Sequence, residues 1–216
     1  MNETETDNDL IERFKPVDRA NHWLTAITFI LAALSGLALF HPAFFWLSNL
    51  FGGGTWTRIL HPFIGVVMVV SFGFLAQRFY RDNRITEADR EWMRRIREVL
   101  TNHDENLPQV GRYNAGQKYL FWVMVWTVVV LLVSGIVIWQ PWFAPLFSIG
   151  ATRVAAVIHA FTAFVLIAGI IVHIYAALWV KGTIRGMTRG TVTRAWAKYH
   201  YPGWYREVSK GTNDQN

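Results

Sequence analysis

Four stretches of this chain, residues 23–40, 59–77, 119–139 and 154–180, contain no Asp, Glu, Lys or Arg. Each is rich in Val, Leu, Ile, Phe and Ala, and each is long enough as a helix to cross a hydrocarbon core of about 30 Å. In lipid a backbone must satisfy its own hydrogen bonds, and a helix does so within a single segment. The expected fold class is therefore an all-α membrane protein, a four-transmembrane-helix bundle. Composition agrees, since 52% of the 216 residues are hydrophobic and 11 are Trp. Trp23, Trp46, Trp56, Trp139, Trp142 and Trp179 fall near the ends of the runs, where an aromatic belt is expected.

The 21 Lys and Arg residues set an orientation. Nineteen of them lie before the first run, between the second and third, or after the fourth, whereas the other two connections hold only Arg58 and Arg153. By the positive-inside rule both termini and the long middle loop are expected to be cytoplasmic. The net charge of +6 is then a topology signal, and no nucleic-acid partner is expected. The acidic opening, residues 1–9, lacks a basic n-region and no small-residue cleavage site follows Phe40, so the first run is read as a span rather than a cleavable signal. With no Cys, this polypeptide can form neither a disulfide nor a cysteine-held iron–sulfur or c-type haem group. A redox cofactor would have to be held by His or Met.

The chain reads as a polar, weakly ordered arm at 1–18, a membrane domain at 19–193 and a cytoplasmic tail at 194–216. No internal repeat is evident. Residues 43–51 are apolar but too short to span, and Gly52-Gly53-Gly54 ends them, which predicts an interfacial outer turn or helix. The spacing of Ile85, Trp92, Met93, Ile96, Val99 and Leu100 predicts a surface amphipathic helix over 86–100.

His159 and His173 sit fourteen residues apart within the fourth run. Fourteen helical steps return to within about 40° of the starting face and rise about 21 Å, so the two imidazoles share a face near opposite membrane surfaces. His22 lies at the inner end of the first run and His61 at the outer end of the second. The four sort by depth into an outer pair, His61 with His159, and an inner pair, His22 with His173. A single histidine near a helix end is ordinarily a cap or an interfacial residue. Two depth-matched pairs point instead to axial ligation of two flat tetrapyrroles in a bundle core, with His22, His61, His159 and His173 as ligands to haem iron. With both axial positions occupied by protein, such a haem carries electrons. His41, His103 and His200 have no depth-matched partner and are read as surface residues. Gly36, fourteen residues after His22, would face the outer cofactor, or else simply pack against another helix. Arg58 and Arg153 outside and Arg19 inside are equally readable as haem-propionate partners or as interface anchors.

These residues carry a resemblance. DRANHW at 18–23, RILHPF at 58–63, GRYNAGQK at 111–118, IHAFTA at 158–163 and HIYAALWVKG at 173–182, with AWAKYHYPGWYREV in the tail, are similar to the cytochrome b556 (gamma) subunits of respiratory formate dehydrogenases. The likeness covers nearly the whole chain and leaves out the acidic arm. It implies a multi-pass protein of the bacterial inner membrane holding two b haems on the same four histidines. It also implies a quinone site on the cytoplasmic side, with Asn114, Gly116 and Gln117 beside the quinone and His173 close by. Taken alone, Asn114 can donate and accept towards a quinone oxygen and Gly116 permits close backbone approach, yet YNAGQK is also an ordinary helix start. The implied partners are an iron–sulfur beta subunit, a molybdenum-containing catalytic alpha subunit, menaquinone or another quinone, and the lipid bilayer, cardiolipin included. The function implied is electron transfer from the periplasmic iron–sulfur subunit to menaquinone, without catalysis on formate itself.

Two other readings compete. One is the cytochrome b subunit of a different periplasm-facing dehydrogenase, such as a nickel–iron hydrogenase, which copurifying partners would distinguish. The other is a haem-free anchor, or a transporter using the histidines as a proton relay or metal ligands. Against a relay stands the absence of intramembrane Asp or Glu, and against a metal site the separation of about 21 Å along the fourth helix.

Overall fold

The computed structural model describes residues 9–100, 108 and 111–213; His103 lies outside them. The four apolar runs become four helices long and apolar enough to cross a membrane: α1 (Pro16–Phe40), α2 (Gly54–Phe79), α5 (Ala115–Ile138) and α6 (Ile149–Trp179). Each begins ahead of its charge-free run, because local chemistry, not apolarity, sets a helix start. Pro16 suits the first helical turn of α1, where no amide partner is needed. Ser148 Oγ accepts the Ala151 amide at the start of α6 (3.2 Å). Between α1 and α2 the predicted outer segment is a 3-10 helix, Pro42–Phe51, capped by His41 Nδ1, which accepts the Ala43 amide. It ends at Gly52 and Gly53, whose φ angles of 86° and 97° only glycine adopts freely.

Contacts divide the chain into two compact units, one of residues 20–78 and 123–172, the other of 1–19, 79–122 and 173–216. The first is the membrane unit. Its core is Met68, Val128 and Leu166, with Phe29, Phe72, Met124 and Leu131 packed around them. Many of its large apolar side chains point outward, and Phe74, Val157, Phe161 and Phe164 are exposed by 62–70%, as expected where the surroundings are lipid. A polar clasp ties α1 to α2: Asn21 Nδ2 donates to the Ser71 carbonyl (3.0 Å), Ser71 Oγ donates to Asn21 Oδ1 (2.8 Å), and Thr25 Oγ1 lies 2.6 Å from Ser71 Oγ. In a membrane such interhelical hydrogen bonds fasten helices that apolar burial cannot hold together.

The second unit corrects two expectations. The arm is not uniformly irregular, and the chain is mostly rather than wholly helical: β1 (Leu10–Glu12) pairs antiparallel with β2 (Thr191–Thr193), in register Leu10↔Thr193, Ile11↔Val192, Glu12↔Thr191. Ile11 and Val192 alternate inward and are buried with Ala197, Tyr201 and Trp204. Three-residue strands whose partners lie 179 to 183 positions apart leave no readable period in the sequence. Arg13 follows β1 and is buried among aromatic rings, 4.2 Å from the Trp204 centroid and 4.5 Å from that of Tyr201. Burial lowers its pKa from the usual arginine value. Its Nη2 donates to the Arg112 carbonyl, and Arg112 Nη2 donates back to the Arg13 carbonyl (2.8 Å).

The predicted amphipathic segment over 86–100 is two helices, α3 (Glu87–Arg94) and α4 (Ile96–Leu100). Thr86 opens α3 with a capping box to Asp89. The tail folds as α7 (Thr183–Thr188), β2, α8 (Arg194–His200) and α9 (Pro202–Asn213). Half-buried His200 packs on Trp196 (5.1 Å) and Tyr199 (4.8 Å), and burial lowers its pKa.

The turn into α7 depends on Gly182. Its φ is 94°, and a Cβ there would lie 2.8 Å from Trp196 Nε1, which donates to the Lys181 carbonyl at 2.7 Å. Gly182→Ala is therefore expected to destabilise this unit by about 1–3 kcal/mol, from backbone strain and displacement of Trp196. A thermal melt in detergent followed by tryptophan fluorescence checks this, and an unchanged midpoint would refute it.

Candidate functional site

Within the membrane unit, α2 carries His61 and α6 carries His159, and their rings face one another with centroids 6.3 Å apart and planes at 78°. Each ring is held from behind by the helix that precedes its own. Ser35 Oγ on α1 is 2.9 Å from His61 Nδ1, and Ser134 Oγ on α5 is 3.0 Å from His159 Nδ1. Directly after each serine comes a glycine. A Cβ at Gly36 would stand 3.2 Å from His61 Cε1, and one at Gly135 would stand 3.3 Å from His159 Cε1. The close approach expected of Gly36 is thus to a histidine ring.

What two such rings can bind follows from what surrounds them. With both Nδ1 atoms engaged, Nε2 is the nitrogen each ring has for a metal. Two metal–imidazole bonds of about 2 Å each, plus the half-widths of the two rings, fill a span of this size. Among the described residues no group of three or more His, Cys, Asp or Glu could hold a metal ion. A zinc-type site takes three or four protein ligands. Two imidazoles without a third side chain suit a metal whose other positions are filled by a flat macrocycle, so the residues present fit a haem.

The other predicted ligands fall one in each unit, His22 half-buried in the membrane unit and His173 exposed on α6 in the other. His22 packs edge-on against Trp23 at 5.6 Å. Arg58 and Arg153 are exposed. Arg19 Nη1 donates to the Thr188 carbonyl (2.6 Å) at the end of α7, a role that neither reading of it anticipated.

At the start of α5, Asn114 and Gln117 form a reciprocal cap: the Gln117 amide donates to Asn114 Oδ1 (2.9 Å) and the Asn114 amide to Gln117 Oε1 (3.0 Å). Asn114 Oδ1 thus spends one of its two lone pairs on the helix start, and Nδ2 can turn to donate to a ligand. Gln117 Nε2 donates to Tyr201 Oη (3.1 Å). At Gly116 a Cβ would meet Asn114 Oδ1 at 3.5 Å and Trp92 at 3.7 Å, ordinary contact distances, so packing does not demand glycine there. Neighbouring Tyr113 is half-buried, and desolvation pushes its pKa up to about 12. Behind the loop, Lys118 Nζ meets Asp89 Oδ2 at 2.8 Å, both residues buried.

Sequence reasoning missed Ser35, Ser134 and Gly135. Their signal was available: Leu-Ser-Gly-Leu at 34–37 and Val-Ser-Gly-Ile at 133–136 place the same dipeptide 26 and 25 residues ahead of His61 and His159. The repeat is one of contact geometry more than of sequence.

Apolar spanning helices that bring two histidines ring to ring, in a chain without cysteine, define the class of membrane b-type cytochromes. The chain belongs to the prokaryotic cytochrome b561 family, whose pattern matches residues 13–190. It is 52% identical over 204 residues to the formate dehydrogenase cytochrome b556(fdo) subunit of Escherichia coli K12, covering 94% of this chain and 96% of that one. The nitrate-inducible formate dehydrogenase cytochrome b556(Fdn) subunit of the same organism is 45% identical over 201 residues, 93% of each chain. The formate dehydrogenase cytochrome b556 subunit of Haemophilus influenzae is 41% identical over 208 residues, 96% of this chain and 87% of its own. This is a multi-pass cytochrome b of the bacterial inner membrane.

Proposed function

We propose that the chain is the membrane cytochrome b subunit of a respiratory formate dehydrogenase, carrying two b haems, one between His61 and His159 and one between His22 and His173. When bound, these groups supply one-electron transfer across the membrane, from a periplasmic iron–sulfur subunit fed by a molybdenum-containing catalytic subunit to menaquinone near the cytoplasmic face. The observation that carries the reading is the His61–His159 pair at 6.3 Å, both rings held at Nδ1. Similarity to formate dehydrogenase subunits over nine-tenths of the chain supports the choice of complex.

The remaining residues have definite tasks. The cap at Asn114 and Gln117 fixes the start of α5 and leaves Asn114 Nδ2 to donate towards a quinone oxygen. Half-buried Tyr113 and buried Trp92 at this loop provide the apolar surface that a quinone ring requires. That the arm, the middle loop and the tail gather in one unit supports placing all three, and both termini, in the cytoplasm, as their share of the Lys and Arg predicts. The basic residues of this unit suit anionic headgroups such as cardiolipin. Electrons moving inward do work against a membrane potential worth about 2.3 kcal/mol per charge per 100 mV. Quinol formation at the inner face would draw its protons from the cytoplasm, so both events contribute to a proton motive force.

A pyridine haemochrome assay with a dithionite-reduced minus oxidised spectrum of the detergent-purified chain tests the proposal. The expected result is two b-type haems per polypeptide. A folded, haem-supplied chain without haem would overturn it.

A further inference from the structure

The two serines behind the outer histidines share more than a position. A hydroxyl has one proton to give, and each of these gives it to its own helix: Ser35 Oγ donates to the Leu31 carbonyl at 2.8 Å, and Ser134 Oγ donates to the Val130 carbonyl at 2.6 Å. Only lone pairs then remain for the imidazoles. For both hydrogen bonds to exist, His61 and His159 must each carry their proton on Nδ1, where the serine accepts it together with a carbonyl of the serine's own helix, that of Ala32 for His61 and of Leu131 for His159. Nε2 of each ring is thereby left with its lone pair.

Donation to a backbone carbonyl one turn back is ordinary for hydroxyls in membrane helices, and Thr25, Thr28 and Thr127 do the same here. What sets Ser35 and Ser134 apart is the second partner, one of two rings that face each other, reached from two different helices. In both cases the glycine that follows leaves the ring only 3.2–3.3 Å from where a Cβ would stand. A larger residue at either glycine would push the imidazole off its serine.

We propose that Ser35 and Ser134 are positioning residues for the outer centre, fixing the Nδ1–H tautomer of His61 and His159 and lowering the reduction potential of the metal group the rings hold. This rests on the haem assignment made above. The physical basis is second-shell tuning: an acceptor on the distal N–H makes a histidine ligand more basic, which favours the oxidised over the reduced metal. Two acceptors act on one centre, so their effects should accumulate.

The test uses membranes containing the whole chain, with Ser35→Ala, Ser134→Ala, the double alanine variant, and Ser35→Thr and Ser134→Thr. Redox titration of the visible band, with paramagnetic resonance of the oxidised low-spin signals, reads each centre separately. In the wild type two components are expected. Each alanine variant should shift one component to higher potential and leave the other in place, the double variant should shift it further, and the threonine variants, which keep the hydroxyl, should titrate as the wild type. Alanine variants that retain both haems at wild-type potentials would overturn the proposal. If an alanine change expels one haem, the threonine variant decides: recovery of haem and potential supports a role for the hydroxyl, and failure to recover refutes it. A wild-type chain without haem would remove the underlying assignment, a result recognisable before any serine variant is compared.

Discussion

Replacing His61 with alanine is expected to lower the haem content from two per chain to one. The outer group would lose one of its two protein ligands in a site where no third side chain among the described residues can substitute. Outer-sphere changes at metal sites cost about 10–100-fold in affinity, and loss of a direct ligand should exceed that. His159→Ala should give the same stoichiometry, because the two rings serve one centre. His173→Ala should also leave one haem, but the remaining component should be the outer one, and quinone reduction should cease. Haemochrome counts and redox titration on the three variants distinguish these results. Normal quinone turnover in His173→Ala, or two haems in His61→Ala, would sink the assignment.

Lys118→Met should destabilise the second unit by about 3–5 kcal/mol, the usual cost of stripping one partner from a buried ion pair. Asp89 would keep its burial and lose the ammonium 2.8 Å away, retaining only the Thr86 amide and hydroxyl, each at 2.7 Å. Burial alone would raise the Asp89 pKa, but the hydrogen bonds from Lys118 and Thr86 outweigh it and hold the carboxyl below its ordinary value of 3.8. A carboxylate with a lowered native pKa adds stability that is complete above the ordinary value and disappears as the pH falls through the native one. The gap in melting temperature between wild type and variant should therefore be constant from pH 7 to about pH 5 and shrink below 3.8. Thermal melts across that range measure it, and equal melting at pH 7 would show that the pair contributes nothing net. The loop before α5 should loosen with α3, since Trp92 of α3 lies beside Gly116. Hydrogen exchange at the amides of 113–117 would report this.

The spans were legible because lipid imposes a rule that a one-dimensional pattern obeys: no charge for the length of a crossing helix. Their starts were not, since Pro16 acts through its fixed first-turn geometry and Asn114 and Ser148 through local caps rather than apolarity. The outer pair was legible for a related reason, as helix rise converts residue number into depth. Depth places His61 level with His159 but says nothing of what lies behind each ring. Neither Ser35 nor Ser134 is singled out by depth or spacing. Gly36 was noticed for its spacing, and the structure supplies its neighbour, the His61 ring. In the loop before α5, the sequence offered Asn114 as donor and acceptor alike; the structure shows its Oδ1 accepting the Gln117 amide as a helix cap.

By itself, then, the sequence determined which four segments form helices long and apolar enough to cross a membrane, which segments carry the positive charge, and that His61 and His159 could meet. Each of these depends on composition or on a fixed rise per residue. Only the tertiary structure decided that Ile11 pairs with Val192, that Arg13 sits among Tyr201 and Trp204, that Lys118 meets Asp89, and that two Ser-Gly steps hold two facing imidazoles by Nδ1. These contacts join residues 25 to 191 positions apart, and no periodicity in a chain encodes which distant side chains close packing will bring together.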